Sequence, residues 1–110
     1  MIKVDILGEQ YKLMEIEDKR FDEFDADGFC EWWAKELHIK KGIDEHEPGS
    51  MLNLKDYRAN TIKHEIVHAF MFESGMQNYE RDEMLVEWVA RNLEKMMNAY
   101  NQAMQVDNDN

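Results

Sequence analysis

The spacing of apolar residues changes once along this 110-residue chain, near Asn53. Before that point the period is two. Ile2, Val4 and Ile6 alternate with Lys3 and Asp5, Gly8 interrupts them, and Tyr11, Leu13 and Ile16 resume the alternation. Such a pattern lays one face of a strand on a core, so residues 2–7 and 10–17 are expected to pair as a hairpin through Gly8, Glu9 and Gln10. Around His38, Leu37 and Ile39 predict a further strand, ended by Gly42. After Asn53 the period becomes helical. Residues 54–74 predict a helix, with Asn53 and Asp56 spaced as a capping box and Gly75 as its terminator. A second helix is expected from about Asn78 to Met104, where Leu85, Trp88, Leu93, Met96, Tyr100 and Met104 recur at helical steps. The resulting class is α+β, a small N-terminal antiparallel or mixed sheet followed by two helices. The length fits a single domain over 1–106, with 107–110 as a frayed polar tail.

The remaining segments carry weaker patterns. The stretch KRFDEFDADGFCEWW is acidic and aromatic without a period, and reads as a loop or a short turn of helix. Within it, Asp25, Asp27 and Gly28 are spaced like part of a calcium loop. Glu23 and Ala34 stand where an EF-hand needs Asp and Glu, so a plain turn is expected. If Trp32 and Trp33 lie on a strand, they face opposite sides of it. Residues 43–50 hold the only proline and are expected as a loop carrying His46, with a short strand around Met51–Leu52. The nine methionines fall mostly at helical spacing, as core filler does.

Composition narrows the function. A formal net charge of −11 opposes sequence-independent binding to nucleic acid or to an anionic membrane, both of which need an excess of Lys and Arg. Acidity of this degree serves solubility, or else makes the chain a decoy that blocks a basic nucleic-acid-binding surface. The single cysteine, Cys30, rules out an internal disulfide framework and suits a reducing compartment. The chain opens with no basic-then-apolar leader and has no apolar run near the roughly 18 residues of a membrane span. A soluble protein of the cytoplasm is expected, whether bacterial or encoded by a bacterial virus.

The chemistry is concentrated in residues 61–70, TIKHEIVHAF. His64 and His68 are one helical turn apart on one face, so both imidazoles can reach a single ion. Glu65 is rotated about 100° from His64, and its longer side chain can address a water at that ion without ligating it. This is the H-E-x-x-H arrangement, in which the carboxylate is the general base. A catalytic zinc takes three protein ligands, and the stretch RDEMLVEWVA offers Glu83 and Glu87, again one turn apart. Glu83 can serve as the third ligand and Glu87 can accept the outward N–H of a ligating histidine. Near a helix start both would also be at ease as solvated charges, and the spacing alone leaves open which of the two ligates.

With HEIVHAF followed by a helix bearing glutamates four apart, the chain resembles the gluzincin branch of the zincin metallopeptidases over roughly residues 55–91. It is also similar to minimal zincins of bacteria and phages, whose later helix reads E-x-x-A-x-x-[FW]-A, a pattern that Glu83, Val86, Val89 and Ala90 follow approximately. The resemblance implies Zn2+ held by His64, His68 and Glu83, with Glu65 as base, Glu87 orienting a histidine, and a peptide or protein as substrate. It also implies an edge strand along which the peptide extends, for which residues 35–41 are the candidate. The chain is far shorter than the better-known gluzincins, and no motif marks an oxyanion-stabilising residue among His38, Tyr57 and Tyr79. The competing functions are a zinc-binding protein of this fold without turnover and the acidic decoy. The sequence leaves the oligomeric state open.

Overall fold

The computed structural model describes residues 2–43, 54–79 and 82–108; the expected strand at Met51–Leu52, the cap Asn53 and the loop histidine His46 lie outside them. Strands β1 (Ile2–Ile6) and β2 (Glu9–Ile16) form the expected antiparallel hairpin, in register from Ile2 opposite Leu13 to Ile6 opposite Glu9. Its turn is tighter than the sequence suggests. Only Leu7 and Gly8 lie between the strands, both with positive φ, 51° and 89°. A two-residue turn of this hand matches the right-handed twist of its strands, and Gly8 adopts it at no steric cost.

The aperiodic stretch forms two elements. Helix α1 (Lys19–Glu23) starts at Asp18, whose carboxylate accepts the Arg20 backbone N–H, and strand β3 (Gly28–Glu31) follows. A turn over 32–35 leads into β4 (Glu36–Lys40), so Trp32 and Trp33 sit on a turn and not on a strand. The sheet order is β1-β2-β4-β3, with β4 parallel to β2 and antiparallel to β3. The candidate edge strand at 35–41 is therefore a central one, and β3 is the edge. The burial of three consecutive residues, Leu37, His38 and Ile39, is the mark of a strand covered on both faces. On the far face α1 supplies that cover. Phe21 stacks on Phe29 with ring centroids 5.1 Å apart, and Arg20 reaches the buried Glu31 at 2.5 Å.

Helix α2 (Leu54–Glu73) crosses the other face. Ala69, fully buried, lets it approach Ile6, Tyr11 and Leu37, with Val4, Leu13, Cys30 and Ile66 around them. Helix α3 (Glu83–Asn108) then covers the outer side of α2 through Val67, Met71, Val86 and Ala90. The layers are thus sheet, α2 and α3. Being covered on two opposite sides, α2 has apolar residues all round, which explains why its sequence lacks one clear stripe. Gly75 ends α2 as expected: its φ is 88°, and the Met76 N–H returns to the Met71 carbonyl at 2.8 Å. Helix α3 begins later than Asn78 because Asp82 caps it, accepting the Leu85 N–H at 3.1 Å. Among the methionines, Met71 is buried, whereas Met76, Met84, Met96, Met97 and Met104 are exposed, so the expectation of core filler fails for most of them.

The C-terminal end of α2 is fastened to the sheet by charge. Glu73 Oε2 accepts from the Tyr11 hydroxyl at 2.7 Å and from Lys35 Nζ at 2.5 Å. The Lys35 ammonium and, after burial is set against it, the Tyr11 hydroxyl hold the Glu73 carboxyl below its usual range. A depressed carboxylate stabilises the fold above its unfolded pKa and loses that contribution as pH falls through the folded value. Tyr11→Phe is therefore expected to cost about 1.5 kcal/mol at pH 7 and much less near pH 3. Urea unfolding at the two pH values checks this.

Candidate metal centre and cleft

Residues His64 and His68 lie on the turn of α2 that faces the start of α3, and their ring centroids are 5.0 Å apart. Contacts of Glu83 with His64 and His68, and of Glu87 with Asn60 and His64, place the first turn of α3 against the middle of α2. Glu83 is the first residue of α3, where the helix dipole favours an acid. Its carboxylate bridges the two rings: Oε2 is 2.8 Å from His64 Nε2 and Oε1 is 3.1 Å from His68 Nε2. One turn on, Glu87 Oε1 is 2.9 Å from His64 Nδ1. Asn60 and Arg91, which the sequence analysis missed, complete this arrangement. Asn60 Nδ2 donates to both Glu87 oxygens at 3.2 and 3.3 Å, and Arg91 Nε donates to Oε2 at 2.6 Å. Both stand one turn from a residue of interest, an i+4 relation the sequence already contained.

Both His64 nitrogens face carboxylates, which can only accept, so the surroundings favour a cation. Burial lowers the His64 pKa, but Glu87, the nearby Glu65 and Glu83 outweigh it and leave the imidazole raised. Burial raises the Glu87 carboxyl in turn, and the contacts from Arg91, His64 and Asn60 more than reverse that. The donor atoms of His64, His68 and Glu83 all lie within 4.8 Å of one another. Two imidazoles and a carboxylate at that spread fit a divalent ion of the zinc type, whose N and O ligands stand at ~2.0–2.2 Å. Glu87 fits the outer role, since a carboxylate on Nδ1 turns Nε2 towards the shared point.

Glu65 leaves α2 on the sheet side, only 5% exposed. A Cβ built on Gly28 would lie 2.9 Å from Glu65 Oε2, 3.0 Å from its Cγ and 3.1 Å from the His38 carbonyl oxygen. Gly28 is thus what lets the edge strand close against this carboxylate. Its place in FDADGF read only as a turn, because nothing local in the sequence shows that Glu65, on a later helix, needs the space. Beside Glu65 a cleft of about 490 Å³ runs between β3 and α3, lined by Phe24, Gly28, Phe29, Glu65, His68 and Glu83 among others.

None of the three oxyanion candidates lines it. His38 is on the far sheet face, 2.9 Å from Glu36 through Nε2. The Tyr57 hydroxyl donates to Asp27, and Tyr79 is exposed on the connection before α3. No family model, curated protein or solved structure matches the chain.

The contact at Gly28 has a measurable consequence. Gly28→Ala is expected to destabilise the fold by about 1–3 kcal/mol, as overpacking does. In a Glu65→Ala background the cost should shrink to what the His38 carbonyl imposes. Urea unfolding of the four variants in a double-mutant cycle reads the coupling.

Proposed function

We propose that this protein is a zinc-dependent peptidase in which His64, His68 and Glu83 hold the ion and Glu65 is the general base. The observation that carries this reading is the convergence of those three donors within 4.8 Å beside a buried carboxylate at the edge of a sheet. When bound, zinc would supply Lewis acidity to the substrate carbonyl and to nearby water. The protein's own groups do the rest. Glu87, held by Asn60 and Arg91, orients the His64 ring through Nδ1. Glu65 takes a proton from water as its oxygen attacks the carbonyl carbon. It then passes that proton to the amide nitrogen as the C–N bond breaks, leaving a carboxylate and an amine.

Strand β3 supports a peptide as the substrate. The Lys40 N–H bonds to the Asp27 carbonyl at 2.9 Å, which sets the phase of the β3–β4 ladder. In an antiparallel pair the outward groups alternate, so the Gly28 and Cys30 backbone groups point away from β4 on the cleft side. An extended segment adding to this edge would run past Glu65. Among the described residues no helix is long and apolar enough to cross a membrane. With a single cysteine, we assign the protein to the cytoplasm.

A second reading, a zinc-binding protein without turnover, is favoured by one observation: His38, Tyr57 and Tyr79 do not line the cleft. Metal analysis joined to a peptidase assay distinguishes the two. In the first reading Glu65→Gln retains zinc and loses roughly a hundredfold or more of the hydrolysis rate. His64→Ala, His68→Ala and Glu83→Ala lose the metal, and Glu87→Gln weakens its binding by about 10–100-fold. Full activity in Glu65→Gln would remove the peptidase reading, and zinc bound to an inert wild type would establish the second.

A further inference from the structure

Beyond Glu94, which Lys63 of α2 still reaches at 3.4 Å, α3 leaves the body of the protein. Leu93 is half-buried, and Met96, Met97, Tyr100 and Met104 are 46%, 52%, 57% and 45% exposed. The positions Val86, Val89, Leu93, Met96, Tyr100 and Ala103 follow alternating steps of three and four, the heptad spacing of a coiled-coil seam. The first two pack on α2 and Leu93 lines a groove beside it, whereas Met96 and Tyr100, further along the seam, are exposed. That apolar groove, of about 340 Å³, is lined by Ile66, Phe70, Met76, Val89 and Leu93 among others. The seam and the groove form one continuous surface, and heptad spacing calls for a helix as the occupant.

Charge allows that helix to be the same one from a second copy. A chain of net charge −11 repels its own copies, yet from Leu93 to Met104 the only charged residues are Glu94 and Lys95, which cancel. The residues flanking the seam there, Met97, Ala99 and Met104, are uncharged, so this segment of an acidic chain can meet itself without repulsion. One lysine is too few for a helix lying on an anionic membrane, where the polar face is rich in Lys and Arg. We propose that α3 pairs with α3 of a second copy, antiparallel about a two-fold axis near Asn98. Met96 of each chain then meets Tyr100 of the other, while Ala99 and Ala103 leave room for these side chains. The end of each α3 runs on towards the Val89–Leu93 side of the other copy's groove. This proposal does not rest on the peptidase reading.

Sedimentation equilibrium tests it. The full chain is expected at twice its 13.2 kDa mass at high micromolar concentration, dissociating on dilution. Met96→Lys alone or Tyr100→Glu alone should give the monomer mass. Because the two positions face each other across an antiparallel pair, the double variant should recover the dimer. Both side chains are exposed within one copy, so folding survives each change, and far-UV circular dichroism verifies it. A wild type that stays monomeric at every concentration overturns the proposal and leaves the face to a different protein. A dimer that survives both single changes, or a folded double variant that stays monomeric, overturns it equally.

Discussion

The Glu83 carboxylate touches two imidazoles one helical turn apart, and it can do so only if the first turn of α3 lies beside the middle of α2. Several independent constraints place it there. The Gly75 terminator stops α2, and Asp82 fixes where α3 starts. The contact of Val67 and Met71 with Val86 and Ala90 then sets the rotation of each helix about its axis. A shift of α3 by one residue would turn Glu83 by about 100° away from both rings. The helix pair is therefore the frame of the site. The sheet contributes the surface that places Glu65 on the opposite flank of the histidine turn.

Bringing Glu65, Glu83 and Glu87 close together in a chain that is already acidic costs free energy, and the surroundings show how the cost is met. Glu87 is neutralised by Arg91, His64 and Asn60, so it is spent as a fixed acceptor. Glu83 remains the more exposed of the two at 66% for its side chain, and its charge is directed at the ring nitrogens. A half-buried group of carboxylates and imidazoles is high-stakes: satisfied, it rigidifies, and deprived of one partner it strains the rest. His64, His68 and Glu83 are close enough together that they could share one divalent cation.

Much of this was legible in the sequence. The hairpin, the α2 helix with its Gly75 stop, and the pairing of His64 with His68 on one face follow from periodicity and from i, i+4 spacing, which are local rules. The arrival of Glu83 beside that pair depends on how two helices pack. What was not legible depends on distant partners. Strand β3 has only four residues, and its inward Glu31 is polar because Arg20 pairs with it, so no alternation announced it. Residues 35–41 passed for an edge because a short strand does not reveal how many neighbours it has. Gly28 looked like any turn glycine until Glu65 was seen against it. The exposed methionines of α3 resembled core residues because the helical stripe is real, although the body of one chain covers only its first part.

The brevity of β3 carries a consequence of its own. An outermost strand is a template for runaway stacking, and fibrils of that kind grow from segments of six or seven residues that pair along their whole length. Here the outward-facing amides come from Gly28 and Cys30 alone, between the Phe24–Asp27 bend and the tryptophan turn. So short a rail can align a visiting chain but cannot seed a growing sheet. A segment docked there would be held by few hydrogen bonds, and the same economy would limit how long it stays.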